Sequence, residues 1–271
     1  MRGKGYHMHE VSNYKIRLLL TGTRGYRKGF IANYFLDNYK DTYDITEYMG
    51  DIRDFDEDLS AKKYDMVIHL AAMAGVRRSH EIPEEFWEVN VDASKKIFDA
   101  CERNHLPIIY ASSSSIYEWW LSPYAASKKA MEAIAPYSSL GLRFHTVYGP
   151  NSRTDMLYRN LEEKNPKITY LTNHTRDWTH VEDVCSAIHL CVRNYNALAK
   201  HKAIDVGNGR PVSVKEMADK IWPDNNLPIK EVTGERQDTC ANPKELIELG
   251  WKPKHFIMEE KWESQLLDTA L

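Results

Sequence analysis

The chain of 271 residues lacks most of the features that mark the simpler functional classes. It has 4 cysteines, at 101, 185, 191 and 240, and none forms a Cys-x-x-Cys pair. That excludes a disulfide framework and gives no support to a thiolate metal or redox site. The reducing cytoplasm is the expected compartment. No apolar run approaches the roughly 18 residues of a membrane-crossing helix, so no membrane partner is expected. Met1 to Tyr14 is polar, without the apolar stretch of a signal peptide. With only 13 Gly and 11 Pro against 42% hydrophobic residues, the chain is not collagenous, low-complexity or disordered. Charge is balanced, 36 Lys+Arg against 39 Asp+Glu, so no basic excess points to nucleic acid. There is no His-Glu-x-x-His, and no metal is expected. A P-loop needs Gly-Lys-Ser/Thr, whereas the order here is Lys28-Gly29-Phe30. No internal repeat is found. The length fits one or two domains with a sizeable core.

What is present is an alternation of strands and helices. Ile16 to Leu20 is an apolar run leading into Thr21-Gly22, a loop rich in glycine and arginine, and a helical pattern from Phe30 to Tyr39. Strand, glycine loop and helix open a nucleotide-binding βαβ unit. Further strands are expected in Tyr43 to Met49, Met66 to Leu70, Pro107 to Ala111 and Leu140 to Val147. Helices are expected around Glu84 to Asn104, from Tyr124 to about Ala135, where Pro136 stops it, and near Val181 to Tyr195. The pattern predicts an α/β fold with a parallel sheet wound on both faces. Beyond Pro150 the pattern is less regular. Residues 15–150 read as a dinucleotide-binding domain. Residues 151–271 read mainly as a smaller, partly interleaved substrate domain, with a segment near 176–195 returning to the first.

Glycines at 22, 25 and 29 would let backbone N–H groups approach a pyrophosphate at a helix N-terminus. Two registrations compete: Gly22 followed by Gly25, or one ending on Gly29-Phe-Ile-Ala32, which fits the following helix better. An ordinary strand-to-helix turn gives a similar pattern. Tyr124 is the single tyrosine with lysine four residues later, Lys128. On a helix the two share a face. An ammonium beside a phenol stabilises the phenolate, which can then take a proton from a sugar hydroxyl while hydride leaves the same carbon. Ser112 to Ser115 follow a strand at its carboxyl end, where open α/β sheets bind ligands, and one of them can hold the reacting hydroxyl.

In this order the motifs resemble an extended short-chain dehydrogenase/reductase with a Rossmann-type sheet, of the NAD-dependent epimerase/dehydratase family and closest to the UDP-glucuronate 4-epimerases. The resemblance runs from about Lys15 to Lys254. It is carried by His69-Leu-Ala-Ala-Met-Ala-Gly-Val-Arg-Arg-Ser79, Tyr110-Ala-Ser-Ser-Ser-Ser-Ile-Tyr117, Ser122-Pro-Tyr-Ala-Ala-Ser-Lys128, Gly141-Leu-Arg-Phe-His-Thr-Val-Tyr-Gly-Pro150, Arg153-Thr-Asp-Met156, Arg176-Asp-Trp-Thr-His-Val-Glu-Asp183 and Val206-Gly-Asn-Gly-Arg-Pro-Val-Ser213. It implies Tyr124 as catalytic base and Ser113 as the catalytic serine. Lys128 would orient the nicotinamide ribose and lower the tyrosine pKa. Gly22, Gly25 and Gly29 would carry the pyrophosphate loop, and Glu47 would meet the adenosine ribose. Asp51 and Ile52 would lie beside adenine, and Leu70, Ala71 and Ala72 would line the cofactor. Arg176 would meet the diphosphate and Thr146 the substrate. Arg153 would face a sugar carboxylate, a group that a guanidinium fork suits. Arg77 would add charge near phosphate or sit exposed at a helix start.

The resemblance further implies NAD as cofactor, a nucleotide sugar as substrate, a transient 4-keto sugar and a homodimer. The dimer would form through helices Glu84 to Asn104 and Tyr124 to Ala135. Arg24, Arg27 and Lys28 leave NADP as the lesser alternative. The chain departs from the family in having only Glu118 to Pro123 between Tyr117 and Tyr124, with Trp119-Trp120 in part replacing a missing wall. A dehydratase or decarboxylase would need an acid just behind the catalytic serine, where Ser114 and Ser115 stand. A trimmed, non-catalytic dinucleotide-binding protein is the remaining alternative. His69 reads as a satisfied core histidine, and His145 as core or pocket wall.

Overall fold

The computed structural model describes residues 14–23, 29–57, 59–60 and 62–260. Apolar strands bounded by turns assemble first into a sheet. β1 (Arg17–Thr21), β2 (Asp44–Glu47), β3 (Met66–His69), β4 (Ile108–Ser113) and β5 (Ser139–Phe144) join β9 (Ala203–Val206) in the order β2-β1-β3-β4-β5-β9. Every pair is parallel. Alternate residues of each strand face opposite sides. Leu18, Leu20, Ile68, Ile109 and Leu142 enter one core with helices α1 (Phe30–Tyr39) and α7 (Val181–Arg193). Leu19, Val67, Ile108 and Tyr110 enter another with Ile97, Phe98 and Cys101 of α4 (Ser94–Arg103) and Met131 of α5 (Pro123–Ile134). Both faces are covered, which is why the strands read as continuous apolar runs.

The strand order reverses between β1 and β3, and the crevice at their carboxyl ends is the place such sheets bind ligands. α2 (Val76–Glu81) and α3 (Pro83–Trp87) follow β3. α3 continues through a π-helical stretch, Glu88–Ala93, into α4, so the expected helix is present but widened in its middle. Asn90, fully buried in that stretch, donates to the Met73 carbonyl and to Ser127 Oγ and accepts from Met73 N–H. The widened turn turns a polar side chain inward to tie the loop after β3 to α5.

The expected strand Leu140 to Val147 is two strands. β5 ends at Phe144, and β6 (Thr146–Tyr148) leaves for a second sheet, β10 (Pro211–Ser213), β8 (Thr175–His180), β6. The chain changes sheet at His145, whose N–H still bonds Val206 of β9. Around the second sheet lie α6 (Leu157–Glu162) and α9 (Val214–Ile221), with a core of Tyr148, Leu161, Trp178, Met217 and Ile221. Short elements complete this half: the pair β7 (Leu171–Thr172) and β11 (Ile229–Lys230), and helices α8 (Tyr195–Leu198) and α10 (Lys244–Glu248). The segment 176–195 divides: β8 belongs to the second sheet and α7 to the first core. β9 also returns to the large sheet, which the sequence pattern did not reveal. No helix among the described residues is long and apolar enough to cross a membrane.

Candidate active site

The crevice between β1 and β3 is built from backbone in close approach. Gly22 has φ +93°, and a Cβ there would lie 2.7 Å from Ala71 N. A Cβ on Gly29, which caps α1, would lie 1.6 Å from the Gly22 carbonyl oxygen. Neither position tolerates a side chain, and Ala32, in the first turn of α1, is buried. Gly25, with Arg24, Arg27 and Lys28, lies outside the described residues. Beneath the crevice, Thr21 Oγ1, His69 and Ser94 Oγ form a buried chain at 2.8 and 3.0 Å, and Thr21 Oγ1 accepts from Ala71 N–H. Burial and the Lys128 charge push the His69 pKa down to about 3, so it is neutral. His69 is a satisfied core histidine, and through Thr21 it is linked to the Ala71 N–H just past the strand end; Leu70 and Ala72 flank that residue.

Glu47 closes β2, in register with Leu20 of β1, at the same end of the sheet. Asp51 caps the short turn Ile52–Asp54 and is paired with Arg53 at 2.6 Å, while Ile52 is buried under the sheet. The narrow glycine backbone, the α1 N-terminus and an acid ending the next strand together fit a dinucleotide.

Two strands along from β1, β4 delivers Ser113. Tyr124, half-buried in the first turn of α5, packs edge-on against Phe86. Burial leaves its pKa raised, and the nearby Ser113 hydroxyl and the charge of Arg153 oppose that rise. Ser113 and Tyr124 thus lie near each other. The lysine lies deeper than the tyrosine. Lys128 is 2% exposed and donates to the Ala111 carbonyl at 2.8 Å. Burial, opposed by Glu132, pushes its pKa down to about 7. The charge of Arg153 opposes the rise at Tyr124, and Lys128 is turned back onto β4. Behind it, Glu132 accepts from Ser112 and pairs with Arg143 at 2.9 Å; Arg143 and Tyr117 meet at 3.1 Å, and Tyr117 donates to Asp205 at 2.6 Å. His145 is buried 3.6 Å from Asp205, as part of this wall.

The substrate-side residues come from separate loops. Arg153 Nε donates to Asp155 at 3.0 Å, and its guanidinium rests on Ala74 and Gly75. Thr146 begins β6, opposite Trp178. Arg176 lies in β8 and donates from its two terminal nitrogens to the carbonyls of Thr175 and Gln237, to His174 and to Glu235. Arg77, largely exposed on α2, faces the same Glu235 at 3.7 Å. Trp119 and Trp120 are exposed, ring to ring at 6.1 Å, on the short connection to α5. Sequence reasoning missed Asn90 and Arg236. An asparagine between two valines on an amphipathic helix was the available signal for the first. Nothing local marked the second.

A protein-family model described as the NAD dependent epimerase/dehydratase family matches residues 18–207. UDP-glucuronate 4-epimerase 1 of Arabidopsis thaliana is 29% identical, covering 88% of this chain and 73% of that protein. A UDP-glucuronate 4-epimerase of Thermodesulfobacterium geofontis is 28% identical over 73% of this chain and 77% of its own length. Among solved structures, MoeE5 in complex with UDP-glucuronic acid and NAD is similar with a TM-score of 0.74 and 25% identity, covering 90% of this chain and 95% of that one.

Proposed function

The chain belongs to the NAD-dependent epimerase/dehydratase family, and from that membership we propose that it inverts C4 of a UDP-linked sugar, with UDP-glucuronate as the substrate. Its cofactor is NAD, which when bound accepts a hydride from the sugar and gives it back. The observation that carries the reading is the meeting of Ser113 and Tyr124 at the carboxyl end of β4. The Ser113 hydroxyl holds the C4 hydroxyl of the sugar. Tyr124 takes that proton and later returns it, and Ser113 and Arg153 supply the interactions that favour its phenolate. Lys128 braces β4 against α5 from below. Arg176 and Arg77 hold the diphosphate, and Arg153 meets the uronate carboxylate beside Tyr124.

The relatives named UDP-glucuronate 4-epimerase support the choice of sugar. The two residues after Ser113 are serines rather than acids, which weighs against dehydration. Residues 15–150 form the cofactor-binding part in this proposal and 151–271 mainly the substrate part. A homodimer would meet through α3–α4 and α5, where Trp87 and Ile134 are exposed. The test is incubation with UDP-glucuronate and NMR of the product. UDP-galacturonate is expected. Conversion of UDP-glucose with none of UDP-glucuronate would replace the substrate, and conversion of neither would remove the activity.

A further inference from the structure

Four arginines surround the Ser113 end of the sheet, and they differ in how fully the protein occupies them. Arg176 makes four hydrogen bonds from its terminal nitrogens, to two carbonyls, His174 and Glu235. Arg153 is paired with Asp155 and reaches the Ala74 carbonyl. Arg77 is exposed and faces Glu235. Arg236 makes a single hydrogen bond among the described residues, from Nη1 to the carbonyl of Ser114 at 3.0 Å. Its acidic neighbour, Glu118, stands 3.7 Å from Nε, beyond hydrogen-bond reach. Nε itself is buried without an acceptor.

The guanidinium is nonetheless fixed. It lies 5.3 Å over the Tyr117 ring, which Asp205 and Arg143 hold from the other end. A planar, always-charged fork with unspent donors, held rigid, is suited to a carboxylate. Its anchor, Ser114, directly follows the serine that would hold the reacting hydroxyl. A diphosphate lies a whole pyranose ring away from C4, so an arginine seated at this spot meets the ring.

We infer that Arg236 is a second specificity-determining residue that, together with Arg153, reads an anionic substituent on the sugar, a carboxylate at C6. This rests on the proposed nucleotide-sugar chemistry and deepens it: the uronate is selected by a loop far from the catalytic motif, reaching over from residues 233–239.

Calorimetry on wild type, Arg236→Gln and Arg236→Lys with UDP, UDP-glucose and UDP-glucuronate tests it. Arg236→Gln should weaken UDP-glucuronate by about 30-fold or more, with UDP and UDP-glucose shifting by less than about threefold. Arg236→Lys, which keeps the charge but not the fork, should fall between. An equal loss for all three ligands would make Arg236 a diphosphate residue and overturn the inference. No loss for any would reduce it to a clamp on Ser114 and Tyr117. If Arg236→Gln unfolds, Arg236→Lys decides by the same comparison. Wild type binding no UDP-sugar removes the proposed function and this inference together. Wild type that epimerises UDP-glucuronate while the variants keep its ligand preference removes the inference alone.

Discussion

The two ends of the candidate site are built on opposite plans. At the cofactor and catalytic end, Gly22, Leu70, Ser113 and Tyr124 sit on or beside the ends of regular elements whose register the sheet fixes. At the substrate end, Arg153, Arg176 and Arg236 come from three stretches of chain; Asp155 and Glu235 hydrogen-bond the first two, and Glu118 stands 3.7 Å from the third. The first end is set by backbone geometry and changes little without unfolding. The second is set by pairs of side chains and can be retuned one residue at a time. Chemistry should therefore be fragile at the first end and specificity adjustable at the second.

The largest effect expected is from Tyr124→Phe. The ring and its contact with Phe86 stay, and only the proton acceptor is lost. Turnover should fall by about 10²- to 10⁴-fold with UDP binding retained. Wild-type turnover in single-turnover assays would show that the base lies elsewhere.

Arg153→Ala probes where the two ends touch. Its charge opposes the burial that raises the Tyr124 pKa, so its removal should move the rising limb of the pH–rate profile to higher pH. UDP-glucuronate affinity should also drop by about 30-fold or more relative to UDP-glucose. An unmoved limb with an equal loss of both ligands would separate Arg153 from the tyrosine and from the carboxylate.

Asn90→Ala attacks the first end without touching a reactant. Met73 and Ser127 lose a buried partner, at a cost of about 2 kcal/mol, or a Tm lower by about 4–8 °C. A Tm unchanged in calorimetry would show that the tie between the β3 loop and α5 contributes nothing.

His255→Gln is the mildest. The imidazole stacks on His180 with ring centroids 4.1 Å apart, between Glu182 and Glu260. Burial lowers its pKa, but the Glu260 hydrogen bond and the charges of Asp183, Glu260 and Glu182 prevail and leave it raised. His180, pushed down to about 4 chiefly by burial, stays neutral. A raised pKa means that stability from His255 is full below the ordinary imidazole value and disappears as pH rises through the raised one. Between about pH 6 and pH 9, wild type should lose about 1–3 °C more in Tm than His255→Gln. Parallel pH curves would mean the charge does not fasten the C-terminal segment to α7.

Legibility in the sequence followed the same division. The Tyr-x-x-x-Lys spacing, the serine run and the glycine turn are local, so a helix period or a strand end places them unaided. The partner of Lys128 was not legible, because spacing fixes the face of a helix and not the rotamer a buried side chain takes. The break at His145 was hidden for a related reason: Leu140 to Val147 is apolar throughout, and a chain leaving one sheet for another keeps the same pattern. Arg236 stands 123 positions after Ser113 in the chain, a proximity that only tertiary packing creates.

The six residues from Glu118 to Pro123 that join Tyr117 to Tyr124 have a bearing on how the molecule comes together. Bringing distant chain segments into contact costs closure entropy that grows with the span, and short-range contacts form soonest. With β4, the connection and α5 contiguous from Ile108 to Ile134, serine and tyrosine are aligned by one short stretch of polypeptide. Hydrogen exchange during refolding should find this stretch protected before the arginine loops, so the proposed proton-transfer pair assembles before the proposed means of choosing a substrate.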